Sequence, residues 1–350
     1  MKILYIRKQE RGHFIKRRLR KLRDSFYWHN RVGFFCASLR TQANVTRKSL
    51  EAILSYSNQD FNSFDAVIFN YECNFRKEGD PVKTVSKAVH QLKSRLKNVP
   101  TILLLSSPNA KLVPTNENMD LFDLVFRREH FKDLDRYDLS NRNKEKLRTT
   151  TLSCPLIPAN ILNVNSINPA DYGFEHPANN FQNDVFFLGQ ETSRTLMRTR
   201  VVGLIKHSKI DFTGGIHPDV RNHDRDIPSD LLAPRLSQKK FYEKTRSSKI
   251  NLALEGYGQF TYRHWECWAL SSFMISSPSV NDVKLPFKAI DGKHYVTFEN
   301  EADLMDKISH FLNHPDEMKR IAQTGRKLFE NEYNFHKHGK YIIDAIRSIQ

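Results

Sequence analysis

The feature that most constrains the fold of this chain is the alternation of short, continuous apolar runs with segments of helical periodicity. In the first 150 residues such runs lie at 3–6, 32–36, 65–71, 101–105 and 123–126. Between the third and fourth runs, apolar residues from Val85 to Leu96 recur at the spacing of one helix face. Apolar runs of this length, separated by helices, are typical of strands buried in a parallel sheet that is covered on both faces. We therefore interpret each run as a strand.

A second series of the same kind follows an irregular stretch. Residues 140–177 contain four prolines and no clear period, and the alternation restarts at residue 184. The strands predicted for this series are 184–189, 210–213 (ending in a Gly-Gly turn), 249–254, 273–276 and 294–298. Two successive series predict an α/β chain of two doubly wound, Rossmann-like domains facing a cleft. The predicted segments are an N-terminal domain 1–150, a linker 151–180, a C-terminal domain 181–333 and a C-terminal helix 334–350.

Composition excludes several other classes of protein. No apolar run approaches the roughly 20 residues that a membrane-spanning helix needs, and the N-terminus turns basic too early for a secretory signal. The four cysteines, Cys36, Cys73, Cys154 and Cys267, lie far apart in the sequence. This spacing argues against a disulfide framework and against a thiolate zinc site. We expect a protein of the reducing cytoplasm.

The positive charge is concentrated at the N-terminus. Lys and Arg total 55 against 39 Asp and Glu, a net charge of +16, and the first 50 residues alone carry a net +12. The densest part, residues 16–23, is either a solvated helical face or a surface for an anionic membrane, nucleic acid or an acidic acceptor. Each basic residue near anionic lipid contributes about 1 kcal/mol. We expect residues 7–48 to bind an anionic membrane surface, whereas nucleic acid is disfavoured because no reading motif accompanies the run.

A glycine-containing turn between a predicted strand and a predicted helix is the strongest candidate for a binding site. The strand 249–254 runs into Glu255, Gly256 and Gly258, and a helix starts near residue 261 or Tyr262. Ligands of open α/β sheets bind beyond the carboxyl ends of the strands. The glycines let the backbone approach a bound group, and the first amides of the new helix favour phosphate.

Two charged residues of this helix extend the candidate site. Arg263 would make a bidentate contact with phosphate oxygens. Glu266, three residues further on, lies on the same side of the helix and would accept hydrogen bonds from sugar hydroxyls. The alternative interpretation is that Arg263 and Glu266 pair with each other on a surface turn.

This order of elements resembles the donor-binding half of GT-B glycosyltransferases. The strand, the glycine turn, the Arg-x-x-Glu helix and the strand 273–276 look like the donor-binding loop and helix of those enzymes. Residues 294–308 and 312–326 look like the final segment of group 1-like domains, and are closest to the spore-maturation-type branch. Exostosin-like and fucosyltransferase-like GT-B enzymes share the same layout. The resemblance covers residues 184–349, whereas the N-terminal half shares only the alternation of strands and helices.

What the resemblance implies is an enzyme that transfers a sugar from a nucleotide diphosphate sugar to a glycan or lipid-linked saccharide, with no metal and no other cofactor. For the diphosphate it implies Gly189, Arg194, Gly256, Gly258 and Arg263; for the rest of the donor, Glu255, Tyr262 and Glu266. Arg194 also lies just inside a helix that follows a strand, where a phosphate would bind. Arg198 and Arg200, on the same helix, are interpreted as solvated.

The acceptor side offers two candidates for a catalytic base. Glu72 follows the strand 65–71, and His13 follows the first strand, so that both lie at carboxyl ends. A carboxylate or an imidazole there would deprotonate an acceptor hydroxyl; the alternative for Glu72 is an ordinary surface residue. The pair Asp224 and Asp226 resembles a metal-binding Asp-x-Asp motif, but it lies in a polar loop and we reject it. The competing hypothesis for the whole chain is a non-catalytic protein whose basic N-terminal face binds a polyanion or nucleic acid.

Overall fold

Two parallel β-sheets organise the chain. The computed structural model describes residues 1–7, 33–71, 83–106, 109–154, 181–192, 196–217 and 227–350. The chain divides into two compact units. The first comprises Met1–Asn165, Asp282–Phe287 and Asn334–Gln350, and the second comprises Ser166–Asn281 and Lys288–Tyr333.

The elements are numbered in chain order. The described strands are β1 Lys2–Arg7, β2 Asn44–Ser49, β3 Ala66–Tyr71, β4 Thr101–Leu105, β5 Leu124–Arg127, β6 His130–Phe131, β7 Leu147–Thr149, β8 Asn183–Gly189, β9 Phe212–Ile216, β10 Ser248–Ala253, β11 Met274–Ser276, β12 Val283–Lys284 and β13 Val296–Thr297. The described helices are α1 Gly33–Arg40, α2 Leu50–Ile53, α3 Asn58–Asn62, α4 Lys83–Leu92, α5 Asn116–Met119, α6 Asn141–Glu145, α7 Met197–Lys206, α8 Gln238–Arg246, α9 Tyr262–Ala269, α10 Glu301–Asn313, α11 Pro315–Glu332 and α12 Phe335–Arg347. Each helix in the described ranges is either too short or too polar to span a lipid bilayer.

The first unit is built on a six-stranded parallel sheet in the order β2-β1-β3-β4-β5-β7. Both of its faces are covered by apolar clusters, and all five residues of β4 are buried. This double burial is the reason why the strands read as continuous apolar runs. A separate antiparallel pair joins β6 to β12 in the same unit.

One predicted strand of this unit is wrong. The run 32–36 was interpreted as a strand, yet residues from Gly33 onward form α1, in which every residue from Gly33 to Leu39 is buried. A short apolar run does not distinguish a strand from a helix that is buried all round. The second strand is instead β2, an edge strand with the sequence NVTRKS and mostly exposed or half-buried side chains.

The helix at the end of the chain belongs to the first unit, although sequence reasoning treated residues 334–350 as a separate segment. α12 packs on α1, and its Ile342, Ile343 and Ile346 share an apolar cluster with Ile3 and Phe35. The segment 282–287, which carries β12, also belongs to this unit. The first unit is therefore assembled from three stretches that are distant in sequence.

The second unit contains a five-stranded parallel sheet in the order β13-β11-β10-β8-β9. Its apolar core joins the strands to α7, α10 and α11. The predicted Gly-Gly turn after 210–213 is wrong, because β9 continues through Gly214 and Gly215. Both glycines have positive φ, 106° and 148°, which a residue with a side chain adopts only with strain.

Two tryptophans fill the space between α9 and α11. Trp265 and Trp268 are both fully buried, and the Trp268 indole N–H donates to the carbonyl of His294 at 2.7 Å. Gly325 of α11 lies against the Trp268 ring so closely that a Cβ there would overlap with it and with the His294 carbonyl. The glycine is thus required by the packing of two helices and not by a turn.

Candidate functional site

The candidate site lies where the strand order of the second sheet reverses. From β8 the chain moves to β9 on one side, and it then returns to place β10 on the other side of β8. In doubly wound sheets, ligands bind beyond the carboxyl ends of the strands at such a switch point. The residues that follow β8 and β10 here are Gly189 and its successors, and the glycine turn, which we define as residues 255–258.

The glycine turn is held by hydrogen bonds within the unit. The Gly256 N–H donates to the Gly258 carbonyl at 3.1 Å, and the Glu255 N–H donates to the Ser277 Oγ at 2.8 Å. The Glu255 carboxylate accepts from the Ser279 hydroxyl. The side chain of Glu255 is therefore already engaged at the end of β11.

Three backbone amides of this segment have no hydrogen-bond partner among the described residues. The predicted helix start is confirmed, since α9 begins at Tyr262. Within the described residues, no hydrogen-bond partner exists for the N–H groups of Gly258, Tyr262 and Arg263. Such groups, at the positive end of a helix dipole, are suited to bind an anion.

Arg263 and Glu266 form the pair that sequence reasoning left as the alternative. An Arg263 Nη donates to Glu266 Oε2 at 2.8 Å, and its other Nη donates to the carbonyl of Leu188 at 3.0 Å. The guanidinium also lies 3.9 Å from the centre of the Phe241 ring. The two side chains are only 15% and 10% exposed, so that the pair is not on a surface turn. Arg263 thereby ties α9 to the end of β8.

Arg198 was predicted to be solvated, and this prediction is wrong. It is 9% exposed and donates three hydrogen bonds to carbonyls at the switch point. Its Nε donates to Glu255 at 2.8 Å, one Nη to Leu254 at 2.9 Å and the other Nη to Gln190. Arg200, two residues away, matches the prediction because it is exposed and pairs with Glu301 at 2.8 Å.

A buried carboxylate lies next to Arg198. Glu191 is 2% exposed and accepts from both the N–H and the hydroxyl of Thr199 in the first turn of α7, at 2.8 and 3.0 Å. Sequence reasoning missed both residues. The available signal was their position, since Glu191 lies two residues after a buried strand and Arg198 lies in the first turn of the helix after it.

Gly189 ends β8 in contact with the same arginine. A Cβ at this position would lie 2.9 Å from the Phe187 ring and 3.4 Å from a guanidinium nitrogen of Arg198. At Gly256, a Cβ would lie 2.7 Å from the other guanidinium nitrogen of Arg198. Gly256 therefore makes room for Arg198, and Gly189 makes room for the Phe187 ring. The sequence suggested instead that both glycines make room for a ligand.

His264 is buried beneath the start of α9. Its Nδ1 accepts from the Thr261 N–H at 3.0 Å, so that the proton is on Nε2, which donates to the Ser276 Oγ at 2.9 Å. Burial, with a smaller opposing effect from Thr261, lowers the pKa of His264 to about 3. The imidazole is neutral at physiological pH and fixes the helix start to β11.

We expect His264 to make the second unit less stable in acid. Its folded pKa of about 3 lies below the unfolded value near 6.5, so the unfolded chain binds more protons between these values. The stabilisation is complete above pH 6.5 and is lost as the pH falls towards 3. At pH 5 the loss amounts to about 2 kcal/mol. Urea unfolding followed by tryptophan fluorescence, which Trp265 and Trp268 contribute from this unit, measures it at pH 7 and 5.

The matched variant is His264→Gln, which retains a donor and an acceptor but does not titrate. Its loss of stability on acidification is expected to be smaller than that of the wild type by about 2 kcal/mol. Equal losses in the two proteins would show that His264 does not carry this pH dependence.

Several sequence-predicted residues lie outside the described residues. They are His13, Glu72, Arg194, the rejected pair Asp224 and Asp226, and the basic run 16–23. Of the donor-site candidates, the structure describes Gly189, Glu255, Gly256, Gly258, Tyr262, Arg263 and Glu266, and it brings the ends of β8, β10 and α9 together through Arg263 and Arg198.

Comparison with known proteins is most informative for the C-terminal half of the chain, which contains the candidate site. Residues 193–344 match the family model described as glycosyl transferase-like. This part of the chain is therefore similar to glycosyl transferase-like domains. The predicted resemblance to GT-B glycosyltransferases and the assignment as a transferase enzyme are thereby confirmed. The glycine turn, Arg198 and Arg263 all lie within the matched residues. A comparison with curated protein sequences found no significant match.

Solved structures confirm the fold over nearly the whole chain. Anabaena HepE, crystallised in complex with UDP, has a TM-score of 0.56 at 10% identity and covers 99% of this chain and 100% of its own. T4 phage BGT, in complex with its UDP-glucose substrate, has a TM-score of 0.51 at 14% identity, with 99% of both chains covered. A glycosyltransferase from Rickettsia africae has a TM-score of 0.57 at 12% identity, covering 99% and 98%. At these identities the likeness shows the two-sheet α/β fold of GT-B proteins.

Proposed function

We propose that this protein transfers a sugar from a UDP-sugar to a glycan or lipid-linked saccharide acceptor without a metal ion. The glycosyl transferase-like match of residues 193–344 supports the reaction class, and the UDP and UDP-glucose complexes of HepE and BGT, which share the fold, support the donor class. The observation that carries the proposal is the group of amides at Gly258, Tyr262 and Arg263, at the switch point of the second sheet, that have no partner within the part of the chain that the structure describes.

In this proposal the diphosphate of the donor accepts hydrogen bonds from those amides at the start of α9. Fixed N–H dipoles stabilise the charge that develops on the leaving diphosphate, and they need no reorganisation during the reaction. Arg263 and Glu266 are engaged with each other, so their contribution is to hold α9 against β8. Glu72 and His13 remain the candidates for the base that deprotonates the acceptor hydroxyl.

The basic N-terminal segment suggests the location at which the protein binds such an acceptor. The net +12 of the first 50 residues favours an anionic surface, and each basic residue adds about 1 kcal/mol near anionic lipid. We place the protein on the inner face of a membrane on this basis. A lipid-linked acceptor would be presented at the same surface.

Calorimetry of the full chain with UDP tests the donor site. We expect saturable binding of UDP in the presence of EDTA, and UDP at a hundred times its Kd will raise the free energy of unfolding by about 2.7 kcal/mol. No binding of UDP or of any UDP-sugar, with or without Mg²⁺, would overturn the proposal.

A proline at position 262 tests the amides directly. Tyr262 is the first residue of α9, where proline is well tolerated, and Thr261 before it is extended at φ −105° and ψ 167°. Tyr262→Pro therefore removes one N–H that has no partner among the described residues, while it preserves the helix. We expect UDP affinity to fall about tenfold, the value of one charged hydrogen bond. Tyr262→Ala, which loses the same ring but keeps the amide, is the control, and equal affinities for the two variants would exclude this amide from the site.

A further inference from the structure

Arg198 joins the loops that leave two neighbouring strands. Its three carbonyl partners belong to Gln190, after β8, and to Leu254 and Glu255, after β10. The planar guanidinium presents its donors in a rigid fork, so that one side chain fixes three peptide groups at once. A buried side chain of α7 therefore links the two loops at the switch point.

These contacts determine the conformation of the glycine turn. A trans peptide is planar, and its N–H points away from its C=O. Because the Glu255 carbonyl points to Arg198, the Gly256 N–H points to the other side, where it donates to the Gly258 carbonyl. That bond closes the turn and orients the next peptides, including the N–H of Gly258, for which the described residues offer no acceptor.

Two further observations show that the chain is adapted to Arg198. At Gly256 a Cβ would lie only 2.7 Å from a nitrogen of its guanidinium. Burial lowers the pKa of Arg198 to about 10, an effect that the nearby Glu191 carboxylate opposes. The guanidinium thus stays charged at neutral pH although it is almost fully buried.

We propose that Arg198 is a positioning residue for the donor diphosphate. It binds no ligand atom itself; it fixes the ends of β8 and β10 so that the glycine turn presents its amide to the diphosphate. This inference rests on the proposed function. It also reassigns Gly256, whose missing side chain admits Arg198 and not the ligand.

The readout that separates positioning from a merely structural role is the ratio of affinities for UDP and uridine. Uridine lacks the diphosphate. Loss of the correct conformation of the glycine turn is therefore expected to lower the affinity for UDP and to leave the affinity for uridine unchanged. Arg198→Lys retains the positive charge but loses the planar guanidinium and its fixed set of donors. We expect this variant to lower the affinity for UDP at least tenfold relative to the affinity for uridine. Arg200→Lys, the same change at an exposed position of the same helix, is expected to change neither affinity.

Gly256→Ala provides a second variant in case Arg198→Lys does not fold. Its Cβ displaces the guanidinium, and it is expected to show the same selective loss of UDP affinity. Equal losses for UDP and uridine, or an unchanged UDP affinity in both variants, would overturn the positioning role while leaving the donor site intact. A wild-type protein that binds neither compound would overturn the proposed function and this inference together.

Discussion

Replacing Arg198 by methionine is expected to destabilise the second unit by about 3–5 kcal/mol, which is the usual cost of breaking a buried charged network. The variant leaves the carbonyls of Gln190, Leu254 and Glu255 without their donor. It also leaves the carboxylate of Glu191 beside a neutral side chain. Methionine preserves much of the volume, so the loss reports on polar contacts and not on a cavity.

Urea unfolding followed by tryptophan fluorescence measures this effect. Arg200→Met is the control because it makes the same substitution two residues away, where the arginine is exposed and pairs with Glu301. An exposed ion pair contributes about 0–1 kcal/mol. Similar unfolding midpoints for the two variants would mean that the carbonyl contacts of Arg198 contribute little to stability.

Gly325→Ala is expected to cost about 1–3 kcal/mol, the range for inserting a methyl group into a well-packed core. The new Cβ would overlap with the ring of Trp268 and with the carbonyl of His294, to which that ring donates. α11 must therefore move away from α9, or the tryptophan must leave its hydrogen bond. Fluorescence of Trp268 is expected to shift together with the unfolding midpoint.

Gly203→Ala supplies the matched comparison for this substitution. Gly203 also lies inside a helix, and a Cβ there would meet only the Leu231 side chain at an ordinary 3.4 Å. Alanine gains roughly 0.5–1 kcal/mol over glycine within a helix. If Gly325→Ala also raised the free energy of unfolding, the contact between α9 and α11 would be shown to accommodate a methyl group without loss of stability.

The fold could be predicted wherever burial alone determines the pattern of side chains. β3, β4 and β5 are buried in a sheet covered on both faces, and their apolar runs identify them. β2 lies at the sheet edge with the polar sequence NVTRKS, so that hydrophobicity carries no signal for it. The strand predicted at 32–36 is wrong for the opposite reason, because a helix buried on all sides has the same continuous apolar sequence as a buried strand.

The candidate site could be located from sequence but its internal contacts could not. The strand, the glycine turn and the helix start at Tyr262 follow from local pattern. The spacing of Arg263 and Glu266 permits either a ligand contact or a mutual ion pair. Only the packing around them in the folded chain determines that they form the ion pair. The position of Arg198 at the start of a helix after a buried strand indicates a place near the site, but its burial and its carbonyl partners depend on distant segments that enclose it.

The return of α12 to the first unit has a consequence for biosynthesis. Ile342, Ile343 and Ile346 complete a cluster that contains Ile3 and Phe35, so a nascent chain that has emerged only to residue 165 lacks part of its own interior. Domains usually fold in order as the ribosome releases them. Here the earliest-made sheet stays partly uncovered until residue 347 has been translated, and the later-made unit is the first whose core is complete.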